Sequence, residues 1–150
     1  MKIHGQELWA DVAVEGPVLD DAGAILAALH AGAAAISSTV LSEHHQRFEP
    51  EGVTAVVVIG ESHLLASTYG ELGLVAVNIQ TCSASMDLVA GLEAIASALG
   101  ASEIRSMVVM RRLDVPMRVV FQGERIALRD GRLELEAGAL QGFSASAAIR

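Results

Sequence analysis

The chain has 150 residues, 52% of them hydrophobic and 19% charged, with a formal net charge of -8, which suits one domain with a substantial core. Cys82 is the only cysteine and Lys2 the only lysine, which excludes an intrachain disulfide and a multi-cysteine metal site and disfavours a pyridoxal enzyme with its internal Schiff-base lysine. The acidic balance and 3% aromatic content argue against nucleic acid as a partner.

Residues 3–14 alternate loosely (Leu8, Ala10, Val12, Val14) and stop at Glu15-Gly16-Pro17, the pattern of a strand and a turn. Asp20 and Asp21 open a run with Ala22, Ile25, Leu26 and Leu29 at helical spacing. Their carboxylates suit the positive end of a helix dipole, and Gly32 marks the expected end. Residues 36–48 read as a second strand, closed by Glu49-Pro50-Glu51-Gly52. Residues 53–59 carry the strongest strand signal. Their run Ala55-Val56-Val57-Val58-Ile59 leaves neither face polar and predicts cover on both sides.

Residues 64–69 and 74–81 read as further strands, broken at Gly70 and Gly73. Ser85 is expected to cap a helix with the stripe Leu88, Leu92, Ile95 and Leu99, stopping at Gly100. Residues 104–110 return to strand. Three short strands are expected at 115–121, 125–128 and 132–135, separated by Gly123 and by the hairpin signal Asp130-Gly131. The tail 138–150 is rich in small residues and is expected to be loosely ordered. This order predicts an α+β fold, a two-layer sandwich with a mainly antiparallel sheet and helices on one face, in one domain over residues 1–150.

The N-terminus lacks the apolar segment of a signal peptide, and no apolar run is long enough to span a bilayer. A cytoplasmic location without membrane contact is the expectation. His44 and His45 are adjacent, so on a strand they point to opposite faces, and no metal site is expected there.

The informative stretch runs from Phe48 to Cys82. Its apolar strand ends in Gly60-Glu61-Ser62-His63-Leu64, a polar knot at a forced turn. By residue type alone, Ser62 would cap that turn, Glu61 and His63 would face solvent, and Cys82 would be a small buried hydrophobe. Together the residues say more. Gly52-Val53-Thr54-Ala55-Val56-Val57-Val58-Ile59-Gly60-Glu61-Ser62-His63-Leu64, followed by Tyr69-Gly70-Glu71 and Thr81-Cys82, resembles the prokaryotic S-adenosylmethionine decarboxylase proenzyme family. The resemblance extends in register to Gly5, Leu8 and Arg47-Phe48, covering about residues 3–112; residues 113–150 differ.

The resemblance implies a pyruvoyl cofactor made from Ser62 by self-cleavage after Glu61. It implies that Cys82 returns a proton to the substrate α-carbon and that Thr54, where the family has a serine, assists processing. It sets Phe48 against the adenine, Leu64 on the wall of the same pocket, Glu71 on the ribose hydroxyls, and His63 in the retained Glu-Ser-His block. It further implies a homodimer with each active site at the interface. The substrate would be S-adenosylmethionine, for spermidine synthesis.

One departure bears on the chemistry. The family has a second histidine, credited with removing the Ser62 α-proton, where this chain has Ser67, and a proline where it has Gly70. A serine hydroxyl is not a base near neutral pH. Three outcomes stay open: another histidine (His63, His44 or His45) substitutes; the chain stays unprocessed and acts as a binding or regulatory homologue; or the site decarboxylates a basic amino acid, ornithine or arginine.

Overall fold

The structure, a computed structural model, describes residues 5–112 and 117–135. Its strands are β1 (Gly5–Ala13), β2 (Val40–Arg47), β3 (Val53–Ile59), β4 (Ser62–Tyr69), β5 (Leu74–Thr81), β6 (Glu103–Arg112), β7 (Arg118–Arg129) and β8 (Arg132–Leu133). They form an antiparallel sheet in the order β2-β3-β4-β5-β1-β6-β7-β8. Helices α1 (Ala22–Ala35) and α2 (Leu88–Ala98) lie side by side on one face, α1 over β3 and β4, α2 over β1 and β5. This is the expected two-layer α+β arrangement.

The core lies between these layers. Leu8, Val12, Val57, Leu64, Val77, Ile79, Met107 and Val109 point up from alternate strand positions and pack with Ile25, Leu29, Leu92 and Ile95 of the helices, all fully buried. Strand β3 is not covered on both sides. Burial alternates along it, with Val53, Ala55, Val57 and Ile59 buried and Thr54, Val56 and Val58 partly exposed, because both helices sit on the same face.

Local expectations are corrected in the same way, by tertiary packing. Gly32 does not end α1; it lies within it, where a Cβ would stand 2.7 Å from Ile95 Cγ1. Close helix approach, not termination, explains this glycine. Helix α2 is capped by Asp87, whose carboxylate accepts from Ala90 N at 3.1 Å, not by Ser85. Asp21 caps α1, accepting from Ala24 N at 3.0 Å. Asp20 instead accepts from Gly52 N at 2.7 Å and ties down the start of β3. Strand β2 begins only at Val40, after a turn with Ser37 at φ 58°.

Gly123 does not divide two short strands. It pairs with Met107 within the continuous β7, where a Cβ would come 2.9 Å from Phe121 Cζ. Asp130-Gly131, at φ 51° and 74°, turns β7 into β8 as the hairpin signal predicts. The expected strand start at 115–116 and the tail 138–150 lie outside the described residues. Among the described residues no helix is long and apolar enough to cross a membrane.

Candidate functional site

Strands β3 and β4 pair with Ile59 opposite Ser62, so Gly60 and Glu61 form a two-residue turn. Three groups of this turn are held by neighbouring segments. Gly60 N donates to Thr39 O at 3.0 Å, and Ser38 Oγ donates to the Glu61 carboxylate at 2.7 Å. The Glu61 carbonyl accepts from the backbone N–H of Cys82 at 3.1 Å, across the end of the sheet. Ser62 itself has φ 153°, a conformation that L-residues rarely adopt. Such a backbone stores about 1–3 kcal/mol of strain and persists only where its surroundings enforce it.

Glu61, Ser62 and Cys82 line one cleft of about 130 Å³ together with Gln6, Thr81 and Arg112. The Cys82 side chain is exposed at its mouth rather than buried. Gln6 Nε2 donates to Ser83 O at 3.0 Å and Met86 O at 2.7 Å, which fixes the segment following Cys82. Opposite Gln6 in the β1–β6 register is Arg111, whose guanidinium is pushed down to about 10 by burial.

His63 lies on the other side of Ser62. Its Nδ1 is 3.1 Å from Ser62 Oγ, and its Nε2 is 2.8 Å from Asn78 Oδ1. Asn78 Nδ2 in turn donates to Glu7 Oε1 at 3.0 Å and to Leu8 O at 3.2 Å. Trp9 Nε1 donates to the same Glu7 oxygen at 2.7 Å. The chain of contacts runs diagonally over β4, β5 and β1 on the face that the helices leave open.

The remaining candidates gather elsewhere. Phe48, Thr54, Ser67 and Glu71 line a second cleft of about 300 Å³, with Tyr69 and Gly70. Thr54 Oγ1 and Ser67 Oγ meet there at 2.9 Å. Phe48 is 50% exposed, which removes the reading of it as ordinary core. Leu64 is fully buried, beside Gly32 of α1, and lines neither cleft. Ser67 lies five residues along β4 from Ser62, a separation of roughly 17 Å, so the two clefts stay apart within the chain.

His44 and His45 are exposed on the edge strand β2, and no group of three or more metal-ligating side chains occurs among the described residues. Sequence reasoning missed Gln6, Glu7 and Asn78. Asn78 had a signal: a lone amide inside the apolar run Val75-Ala76-Val77-Asn78-Ile79, where it is 2% exposed.

A family model described as S-adenosylmethionine decarboxylase matches residues 7–112. An S-adenosylmethionine decarboxylase proenzyme of Caldanaerobacter subterraneus subsp. tengcongensis is 33% identical over 79% of this chain and 98% of its own length. One of Symbiobacterium thermophilum is 35% identical over 55% of this chain, spanning 62% of that protein. The crystal structure of the adenosylmethionine decarboxylase from Aquifex aeolicus VF5 superposes with a TM-score of 0.67 and 28% identity, covering 77% of this chain and 96% of that one. With the fold and the matched span in agreement, the chain belongs to the S-adenosylmethionine decarboxylase family.

Proposed function

We propose that the chain is the proenzyme of a pyruvoyl-dependent S-adenosylmethionine decarboxylase that splits itself between Glu61 and Ser62. The observation that carries this reading is the condition of that bond: Ser62 strained at φ 153°, and the Glu61 carbonyl gripped by the Cys82 N–H. Ser62 Oγ attacks the Glu61 carbonyl carbon. The C–N bond breaks, its electron pair and a proton go to nitrogen, and an ester replaces the amide. The Cys82 N–H is aimed at the oxygen on which negative charge develops, and one such fixed donor is worth about 2.7–4 kcal/mol in comparable sites.

Loss of the Ser62 α-proton then breaks the Cβ–Oγ bond and frees the main-chain carbonyl of Glu61 as a C-terminal carboxylate. Water converts the resulting dehydroalanine to a ketone and releases ammonia. That ketone supplies the electron sink that amino-acid decarboxylation needs, the task of pyridoxal in other enzymes.

The other residues divide the work by cleft. Cys82 returns a proton to the substrate α-carbon, a role that its exposure and its shared cleft with Ser62 support. In the second cleft, Phe48 offers a ring to the adenine and Glu71 a carboxylate to the ribose hydroxyls. A homodimer that sets one protomer's second cleft against its partner's first would complete the site. The open sheet face, with Trp9 45% exposed and Val56, Leu65 and Val108 partly so, is the surface available for it.

Intact mass is the test. The purified wild type should appear as two chains divided before Ser62, Ser62→Ala as one, and the split protein should release carbon dioxide from S-adenosylmethionine. An undivided wild type would sink the reading. Release from ornithine or arginine instead would overturn the substrate alone.

A further inference from the structure

The hydrogen-bond chain behind Ser62 fixes a tautomer. Asn78 Nδ2 faces two oxygens, Glu7 Oε1 at 3.0 Å and Leu8 O at 3.2 Å, both of which only accept. Turning the amide round would set its oxygen against both of them. Oδ1 is therefore the atom that meets His63 at 2.8 Å, and His63 Nε2 must carry the hydrogen. In the neutral ring Nδ1 is then an acceptor, and Ser62 Oγ–H, 3.1 Å away, donates to it.

We infer that His63 is the general base that takes the Ser62 hydroxyl proton in self-cleavage, with Asn78 and Glu7 as positioning residues. Adjacent strand residues normally point to opposite faces, so Ser62 and His63 should not meet. They do so where the strand geometry breaks, at Ser62 with φ 153°. The same departure that strains the bond accompanies contact between nucleophile and base.

The proton has a complete path. His63 Nδ1 accepts it as Oγ bonds to the Glu61 carbon, and gives it to the Ser62 nitrogen as the C–N bond breaks. The arrangement has the logic of a serine–histidine pair oriented by a third polar side chain, reached here with residues adjacent in sequence. Val58 on β3 and Gln80 on β5 flank His63 in register. The charged group behind it is Glu7, reached through Asn78, whereas the Glu61 carboxylate is turned to Ser38 Oγ.

This assignment rests on the self-cleavage reading, and the test separates the two. Splitting of the full chain is followed by intact mass across pH for wild type, His63→Gln, His63→Ala and Asn78→Leu. Glutamine can keep the bond to Asn78 but takes no proton. Both His63 variants should split about 10²–10⁴-fold more slowly, with added imidazole restoring His63→Ala, which shows its fold intact. The wild-type rate should depend on pH in a way that His63→Gln abolishes and Asn78→Leu displaces.

His63 variants that split at the wild-type rate overturn the assignment and leave self-cleavage standing. A wild type that never splits overturns both. Independently of splitting, ¹⁵N shifts of the Ser62→Ala chain should show His63 protonated at Nε2; a proton on Nδ1 overturns the assignment.

Discussion

Thr54 and Ser67 put two hydroxyls in contact, 2.9 Å apart, at the position where relatives are expected to carry a basic ring. In the proposed reaction, with a partner's second cleft completing the site around Ser62, neither takes a proton near neutral pH, so removal of the Ser62 α-proton should be slow once the ester has formed. Ester should therefore accumulate in the wild type and be cleaved by hydroxylamine. Ser67→His should raise the rate of ketone formation by about tenfold or more. An unchanged rate would mean that another group already removes the α-proton. Ser62 and Cys82 were legible because their types and spacing are rare in combination. Glu7 and Asn78 were not, because they meet His63 only through the register of β4, β5 and β1, and register follows from the assembled sheet.

Among the elements, the strands were legible where their pattern is local. The limits of β3 and β5 follow their apolar runs, and Asp130-Gly131 specifies its own turn. What misleads is glycine, which a single sequence reads as punctuation. Gly32 and Gly91 are the sites where α1 and α2 approach: Cβ atoms there would lie 2.7 Å from Ile95 Cγ1 and 2.9 Å from Ile36 Cγ2. Alanine at position 32 would gain up to about 1 kcal/mol of helix propensity. Forcing Ile95 aside in a packed core costs about 1–3 kcal/mol, so the overlap should win. Gly32→Ala should lower the melting temperature by several degrees; an increase would show that the helices can part without loss.

For the molecule as a whole, both helices occupy one face of the sheet and the other keeps a band of apolar side chains around Trp9. Val108 stands opposite Trp9 in the β1–β6 pairing and points to that open face. Val108→Arg should leave the core intact and, if this face meets a second copy, shift the sedimenting species from dimer to monomer. Because the clefts are roughly 17 Å apart along β4, the same variant should lose decarboxylation. A monomeric wild type that is fully active would remove the need for a partner. The fold class was legible from the order of elements, whereas the division of the site was not: spacing along a chain does not reveal which end of a strand faces which cleft.

The strand order has a consequence for the sequence of events. A cut after Glu61 leaves β1, β2, β3 and α1 in one piece and β4 to β8 with α2 in the other. In the sheet, β1 lies between β5 and β6, while β2 and β3 lie beyond β4, so the two pieces are interleaved. Neither owns a contiguous set of strands or a complete core. If the chain splits as proposed, assembly must precede scission, and the uncut hairpin acts as an internal tether that is needed once. After such a cut, the particle would keep a shape that its separated halves have no intramolecular route to rebuild.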